Sequence, residues 1–229
     1  MKKWAVVSLL SACFFSLGGQ SYGQNYTIYT FAGGALPPDN SPAIFASLYG
    51  PNSVAVDSAG RIFVAAQVQN IVVRLDATTG LLTRVAGTGA CGYNGDNMAA
   101  TAAQLCGPSG VTVDSAGDLL IADSTNQRVR KVSNGVITTV AGTGTYGYNG
   151  DNISATAAQL SFPSGVAVDS AGNIYLADSG NQRIRMVSNG VIKTVAGTGT
   201  NGYNGDNIIA TNAQLNMPSG VAVDSAGIL

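Results

Sequence analysis

The chain has 229 residues, of which 45% are hydrophobic and only 10% charged, where an average soluble protein has about 25% charged residues. It contains no His, all twelve acidic residues are Asp, and the formal charge is −1. Within these residues that excludes His-based triads, His-ligated zinc and Glu acid–base chemistry, and the lack of a basic surplus argues against a nucleic-acid partner.

The N-terminus reads as an address. Lys2 and Lys3 precede an apolar run from Trp4 to Phe15, and Ser21-Tyr22-Gly23 places small residues before a cut at Gln24. Residues 1–23 are therefore expected to be a signal peptide, with an exported, extracellular or periplasmic product. Leu10-Ser11-Ala12-Cys13 is a competing lipoprotein-type cleavage pattern, which would leave a lipid anchor at Cys13. No other segment is long and apolar enough to span a membrane.

The mature chain is repetitive. Pro51-Asn52-Ser53-Val54-Ala55-Val56-Asp57-Ser58-Ala59-Gly60 returns at Pro108, Pro163 and Pro218, in steps of 57, 55 and 55 residues. The two extra residues of the first step fall in the turn Asp76–Gly80, which suggests flanking strands in register. Each repeat predicts four strands. In the third these are Val166–Val168, Asn173–Ala177, Arg183–Val187 and Val191–Ala196. An Asp-Ser-Ala-Gly turn, an Asp-Ser-Gly-Asn turn and an Asn-Gly hairpin separate them. A long Gly-rich loop leads on to the next Pro.

Four hairpin-linked strands, apolar at the inner edge and wetter outside, suit a β-propeller blade better than a solenoid coil. The class expected is all-β, with blades over 51–87, 108–142 and 163–197 and the start of another over 218–229. Ile28–Gly33 matches the fourth strand Ile137–Gly142, so 26–33 reads as an orphan strand of the kind that closes a ring. Residues 24–229 thus give an incomplete arc of about three and a half blades. A fragment of a longer protein is the expectation, against a half-ring that self-associates.

Val166 to Ile184, with its Asp169-Ser170-Ala171-Gly172-Asn173 and Asp178-Ser179-Gly180-Asn181-Gln182-Arg183 segments, resembles the NHL-repeat signature, and Val111–Val129 matches nearly as well. The loop Gly142-Thr143-Gly144 to Leu160 is similar to the extended repeats of exported bacterial NHL proteins and of the teneurin propeller. The resemblance implies a platform for a protein or carbohydrate partner. Related propellers include lactonases and lyases, so a metal-dependent enzyme with its catalytic residues in further blades is the alternative. The first repeat departs from the pattern: Ala66, Gln69 and Ile71 stand where Asp123, Asn126 and Arg128 stand next. It is expected to lack their interaction.

Four candidate features follow. Asp123 with Arg128, and Asp178 with Arg183, are expected to pair across a turn that Asn126 or Asn181 braces. Gly142-Thr143-Gly144-Thr145-Tyr146-Gly147 matches G-x-G-x-x-G by letters, but no βαβ unit surrounds it, so no nucleotide or other cofactor is assigned. Tyr93, Tyr148 and Tyr203, with Asp96, Asp151 and Asp206, are expected to surround the central opening on one face of the disc, with Tyr146 nearby. They suit sugar or peptide contact if they do not simply pack beneath the loop. The Asp and Asn oxygens there match no standard calcium spacing, and no metal site or catalytic residue is assigned. Cys91 and Cys106 occur together in one repeat and are expected to form a disulfide.

Overall fold

The computed structural model describes residues 37, 39–224, 227 and 229. The proposed leader 1–23, Cys13, the orphan strand 26–33 and parts of the last repeat lie outside these residues.

Among the described residues fifteen strands form three antiparallel sheets, one for each of the first three repeats. The first blade holds β1 (Ser41–Pro42), β2 (Pro51–Val56), β3 (Ile62–Ala66), β4 (Ile71–Leu75) and β5 (Leu81–Ala86). The second holds β6 (Met98–Ala99), β7 (Pro108–Val113), β8 (Leu119–Asp123), β9 (Arg128–Ser133) and β10 (Val136–Ala141). The third holds β11 (Ile153–Ser154), β12 (Pro163–Val168), β13 (Ile174–Asp178), β14 (Arg183–Ser188) and β15 (Val191–Ala196). Strand order from the outer edge is β1-β5-β4-β3-β2, and the other two sheets follow suit. The propeller architecture expected from the repeat is present, as an incomplete arc.

The local chemistry explains the elements. Asp169 accepts from the backbone N–H of Ala171 (3.0 Å) and Asn173 (2.8 Å), which fixes the first turn. In the β14–β15 hairpin Asn189 and Gly190 both take positive φ, 49° and 76°, as a two-residue primed turn requires. The second and third strands are joined by a tight turn that ends in a left-handed residue: Asn70, Gln127 or Gln182.

Two expectations need correction. Each sheet has five strands rather than four. The fifth is a two-residue edge strand donated by the long loop, such as β6 against β10, and two residues are too few to show a period in sequence. The most buried strand is also the second, not the inner one: in the second blade every residue of β8 is buried, whereas Thr112 and Val113 at the end of β7 are only partly so. The inner strands border the axis and so face open space on one side.

Blades pack face to face, and alternation along a strand decides which neighbour each side chain meets. Leu119 and Ile121 join a cluster with Phe63, Ala65 and Val72 of the first blade, while Leu120 and Ala122 join Leu176, Val187 and Ile192 of the third. The long loop wedges Ala100, Ala103 and Leu105 into the first of these clusters, and Ala155, Ala158 and Leu160 into the second. Near the axis the inner strands almost touch. A Cβ on Gly110 would fall inside the Ser164 carbonyl oxygen, and one on Gly165 would lie 2.9 Å from Gly220 Cα. Ser109 and Ser164 hydroxyls donate to backbone carbonyls of the next repeat, at Ser164 (3.1 Å) and Ser219 (2.9 Å).

Candidate functional site

The loop that leaves one blade is clasped by the next. Asp123 is fully buried at the end of β8. Its carboxylate accepts from Cys106 N (2.7 Å), Asn126 Nδ2 (2.8 Å) and Arg130 Nη1 (3.4 Å). Arg130, also fully buried, donates through Nη2 to Gly95 O (2.9 Å) and Asp96 Oδ1 (2.8 Å). Thr139 Oγ1 and the Tyr93 hydroxyl, each 3.1 Å away, donate to the same Asp96 carboxylate. The third blade repeats the arrangement. Asp178 accepts from Ser161 N (2.7 Å), Asn181 Nδ2 (2.8 Å) and Arg185 Nη1 (3.3 Å), and Arg185 reaches Gly150 O (2.8 Å) and Asp151 (3.0 Å). Burial pushes the Asp123 and Asp178 carboxyls above the ordinary range, against the pull of the Asn amide, backbone N–H and Arg donors.

The expected pairing is therefore shifted by two residues. Arg128 lies directly opposite Asp123 in the ladder. Its guanidinium instead donates to Asn126 O (3.0 Å) and Thr143 O (2.7 Å) and lies 3.8 Å from the Tyr93 ring centroid. Arg183 does the same with Asn181 O, Thr198 O and Tyr148. The ion-pair partners are Arg130 and Arg185. The signal was in the sequence: Arg130 and Arg185 recur, and the first blade has Val73 there.

The first blade lacks the clasp, as expected. Ala66, Ile71 and Val73 form an apolar cluster with Leu82 in its place. Gln69 Oε1 accepts from Tyr49 N (2.9 Å), taking over the acceptor role that the carboxylate has for Cys106 N. A buried ion pair and an apolar cluster thus serve the same position of the fold.

The tyrosine–aspartate loops do not surround the axis. Tyr93 and Tyr148 are 38% and 37% exposed, each packed against two arginines and hydrogen-bonded to Asp96 or Asp151. Tyr203, whose loop has no further blade against it among the described residues, is 73% exposed in the stretch that also carries Asp206. The groove at the axis, of about 630 Å³, is lined by 52–56, 109–113, 164–168 and 219–223, and none of these is titratable. Among the described residues no group of three or more His, Cys, Asp or Glu could hold a metal ion, and no helix is long and apolar enough to cross a membrane.

The G-x-G segment serves packing. A Cβ on Gly142 would fall inside the Gln127 carbonyl oxygen of the neighbouring strand, and one on Gly144 would collide with the Arg128 guanidinium. Cys91 and Cys106 are joined, with Cα atoms 4.3 Å apart. Asn201 and Asn216 hold the corresponding places of the last loop by a 3.1 Å side-chain hydrogen bond.

A family model described as NHL repeat matches residues 105–132 and 160–185. These two segments match the NHL repeat. Among relatives, a chloroplastic protein of Arabidopsis thaliana named SUPPRESSOR OF QUENCHING 1 is 33% identical over 82 residues, 35% of this chain and 8% of that protein. The arc also resembles solved structures. A Bacteroides thetaiotaomicron protein of unknown function is 20% identical with a TM-score of 0.59, over 76% of this chain and 42% of its own. An auxiliary nutrient binding protein from the same organism is 19% identical with a TM-score of 0.56, over 76% and 43%. At that identity the likeness concerns the fold. The chain spans less than half the length of either structure.

Proposed function

We propose that the chain is the propeller portion of an exported, non-catalytic binding protein that presents its loops to a protein or carbohydrate partner. The observation that carries this is that the repeated polar groups are engaged by the fold itself. In each clasp the Asp carboxylate, the Asn amide and the Arg Nη atoms bond within their own blade and to the loop arriving from the preceding one, leaving only the buried Arg130 Nε and Arg185 Nε of the clasp arginines without a partner, and the axial groove holds no group able to move a proton. A disulfide in the first long loop and the leader-like N-terminus agree with export. A nutrient-binding protein among the structures of similar fold agrees with binding.

On this reading Tyr203 and Tyr146, the two most exposed tyrosines among the described residues, make contact, while Tyr93, Tyr148, Asp96 and Asp151 position the loops. The test pairs a binding screen of the mature chain against immobilised polysaccharides and matrix proteins with an esterase, lactonase and lyase screen, with and without calcium. Saturable binding that Tyr203→Ala or Tyr146→Ala weakens, without turnover, is the expected result. Turnover abolished by an Asp substitution in this chain would refute it.

A further inference from the structure

One exposed difference between the repeats falls on a constrained backbone. The residue before the inner-strand proline is in the left-handed region in every repeat: Gly50 (φ 59°), Gly107 (φ 61°), Phe162 (φ 47°) and Met217 (φ 46°). That backbone suits Gly and disfavours a bulky side chain. Nevertheless Phe162 and Met217 stand there, 45% and 53% exposed. Room for Phe162 comes from Gly180, which stands where Val68 and Thr125 crowd Gly50 and Gly107; that opens space without requiring a large ring, and strain kept at a half-exposed side chain points to a use for it.

The partner of Phe162 is also a departure. Tyr146 stands where the neighbouring loops have Cys91 and Asn201, each of which closes its own loop through a side chain. Tyr146 keeps the backbone bridge to Leu160 but makes no bond through its side chain. Its ring is 61% exposed and meets Phe162 edge-to-face, with centroids 5.7 Å apart and planes at 66°. Among the described residues its hydroxyl has no hydrogen bond. The corner is held rigidly beneath: Phe162 N donates to Gln127 Oε1 (2.6 Å) and Gly147 N to Leu160 O (3.1 Å).

We propose that the Tyr146–Phe162 corner is a subsite for a neutral oligosaccharide, which deepens the binding reading above and rests on it. Segments 143–149 and 159–163 contain no Asp, Lys or Arg. The Arg128 guanidinium that reaches Thr143 is turned to carbonyls and to the Tyr93 ring. An uncharged corner selects an uncharged ligand. Two rings at a wide angle, one with a free hydroxyl, complement a pyranose, whose axial C–H face stacks on one ring while its hydroxyl edge meets the other and the phenol.

The experiment is affinity electrophoresis of the mature chain through gels cast with laminarin, xyloglucan, galactomannan or dextran. At least one polymer retards the wild type, and Tyr146→Ala and Phe162→Gly each weaken the retardation about tenfold or more. Phe162→Gly restores the glycine of the first two blades, so it melts no lower than the wild type. Retardation unchanged in both variants overturns the placement while leaving the binding reading intact. No retardation by any of the four polymers overturns the sugar assignment, and the matrix-protein screen then decides the binding reading by itself. A Phe162→Gly chain that melts lower in step with its lost retardation makes the pair structural and also overturns the proposal.

Discussion

Replacing Arg185 by Met tests how the clasp contributes to stability. Arg185 and Asp178 are both fully buried, and the ion pair is 3.3 Å long. Met keeps most of the apolar bulk and removes the charge. Asp151, the other acidic partner, is 29% exposed at its side chain and keeps Thr194 N and Oγ1 as donors, so water can compensate it. Asp178 keeps Ser161 N and Asn181 Nδ2 as donors but is out of reach of water, so nothing replaces the lost charge. Removing one partner of a buried pair costs about 3–5 kcal/mol, which for a chain of this size lowers the melting temperature by roughly 6–20 °C.

The pH dependence makes the test specific. Burial already raises the Asp178 carboxyl, and losing Arg185 raises it further. A raised folded-state value contributes stability below the unfolded pKa, and that stability is lost as pH rises through the folded value. The Arg185→Met penalty should therefore be larger at pH 7.5 than at pH 5. Adding Asp178→Ala and Asn181→Gln imitates the first blade, where Gln69 holds the corresponding backbone amide. That triple variant should be more stable than the single one at pH 7.5 and lose the pH dependence, because an apolar replacement of a whole ion pair is often neutral. Thermal melts followed by far-ultraviolet circular dichroism at the two pH values suffice. A single-variant penalty equal at both pH values, or a triple variant that melts lower than the single, would refute the argument.

Three further outcomes are expected. Gly110→Ala should cost about 1–3 kcal/mol in a urea titration, since its Cβ would enter the Ser164 carbonyl, whereas Gly220→Ala, with nothing within 4 Å, should be near neutral in this chain. Reducing Cys91–Cys106 opens a loop of 15 residues and should cost about 3 kcal/mol; dithiothreitol should lower the melting temperature of the wild type and leave a Cys91→Ser, Cys106→Ser chain unmoved. The Asn173 side chain holds the Asp169 carboxyl below its usual range, so its stability is present above the unfolded pKa and lost as pH falls through the folded value. Asn173→Ala should flatten the acid limb of a stability–pH profile below about pH 4, and an unchanged limb would assign that slope to other carboxyls.

Whatever repeats was legible in the sequence. The period gave the blades, Asn-Gly the hairpin, Asp with Gly the first turn, and the two unmatched cysteines the bridge. What depends on direction rather than spacing was not. Asp123 sits directly opposite Arg128, yet its carboxylate meets Arg130, because Arg128 is drawn over Tyr93 by a loop from another blade. Spacing cannot reveal which side chain a covering loop will claim. The loops illustrate the same limit. Tyr93 and Asp96 share a strand-end address with the axis, but β6 carries their loop to the outer edge of the second blade. The one available signal was the joint change of Asp123, Asn126, Arg128 and Arg130 to Ala66, Gln69, Ile71 and Val73, which marks four residues as one unit.

That joint change also separates architecture from function in this chain. Where a polar residue recurs with its partners, or is lost together with them, it belongs to the stacking of blades, because each interface must satisfy the same buried groups. A residue chosen for a ligand is under no such obligation and can occur once. Tyr146 and Phe162 occur once, in exposed places, and Phe162 stands on a backbone that its own blade would hold more easily with Gly. Repetition therefore works as an internal control: it subtracts the clasp, the Ser-to-carbonyl bonds at the axis and the Gly-x-Gly packing from the functional account. The residue it leaves is an aromatic corner on the surface, which stacking alone does not require.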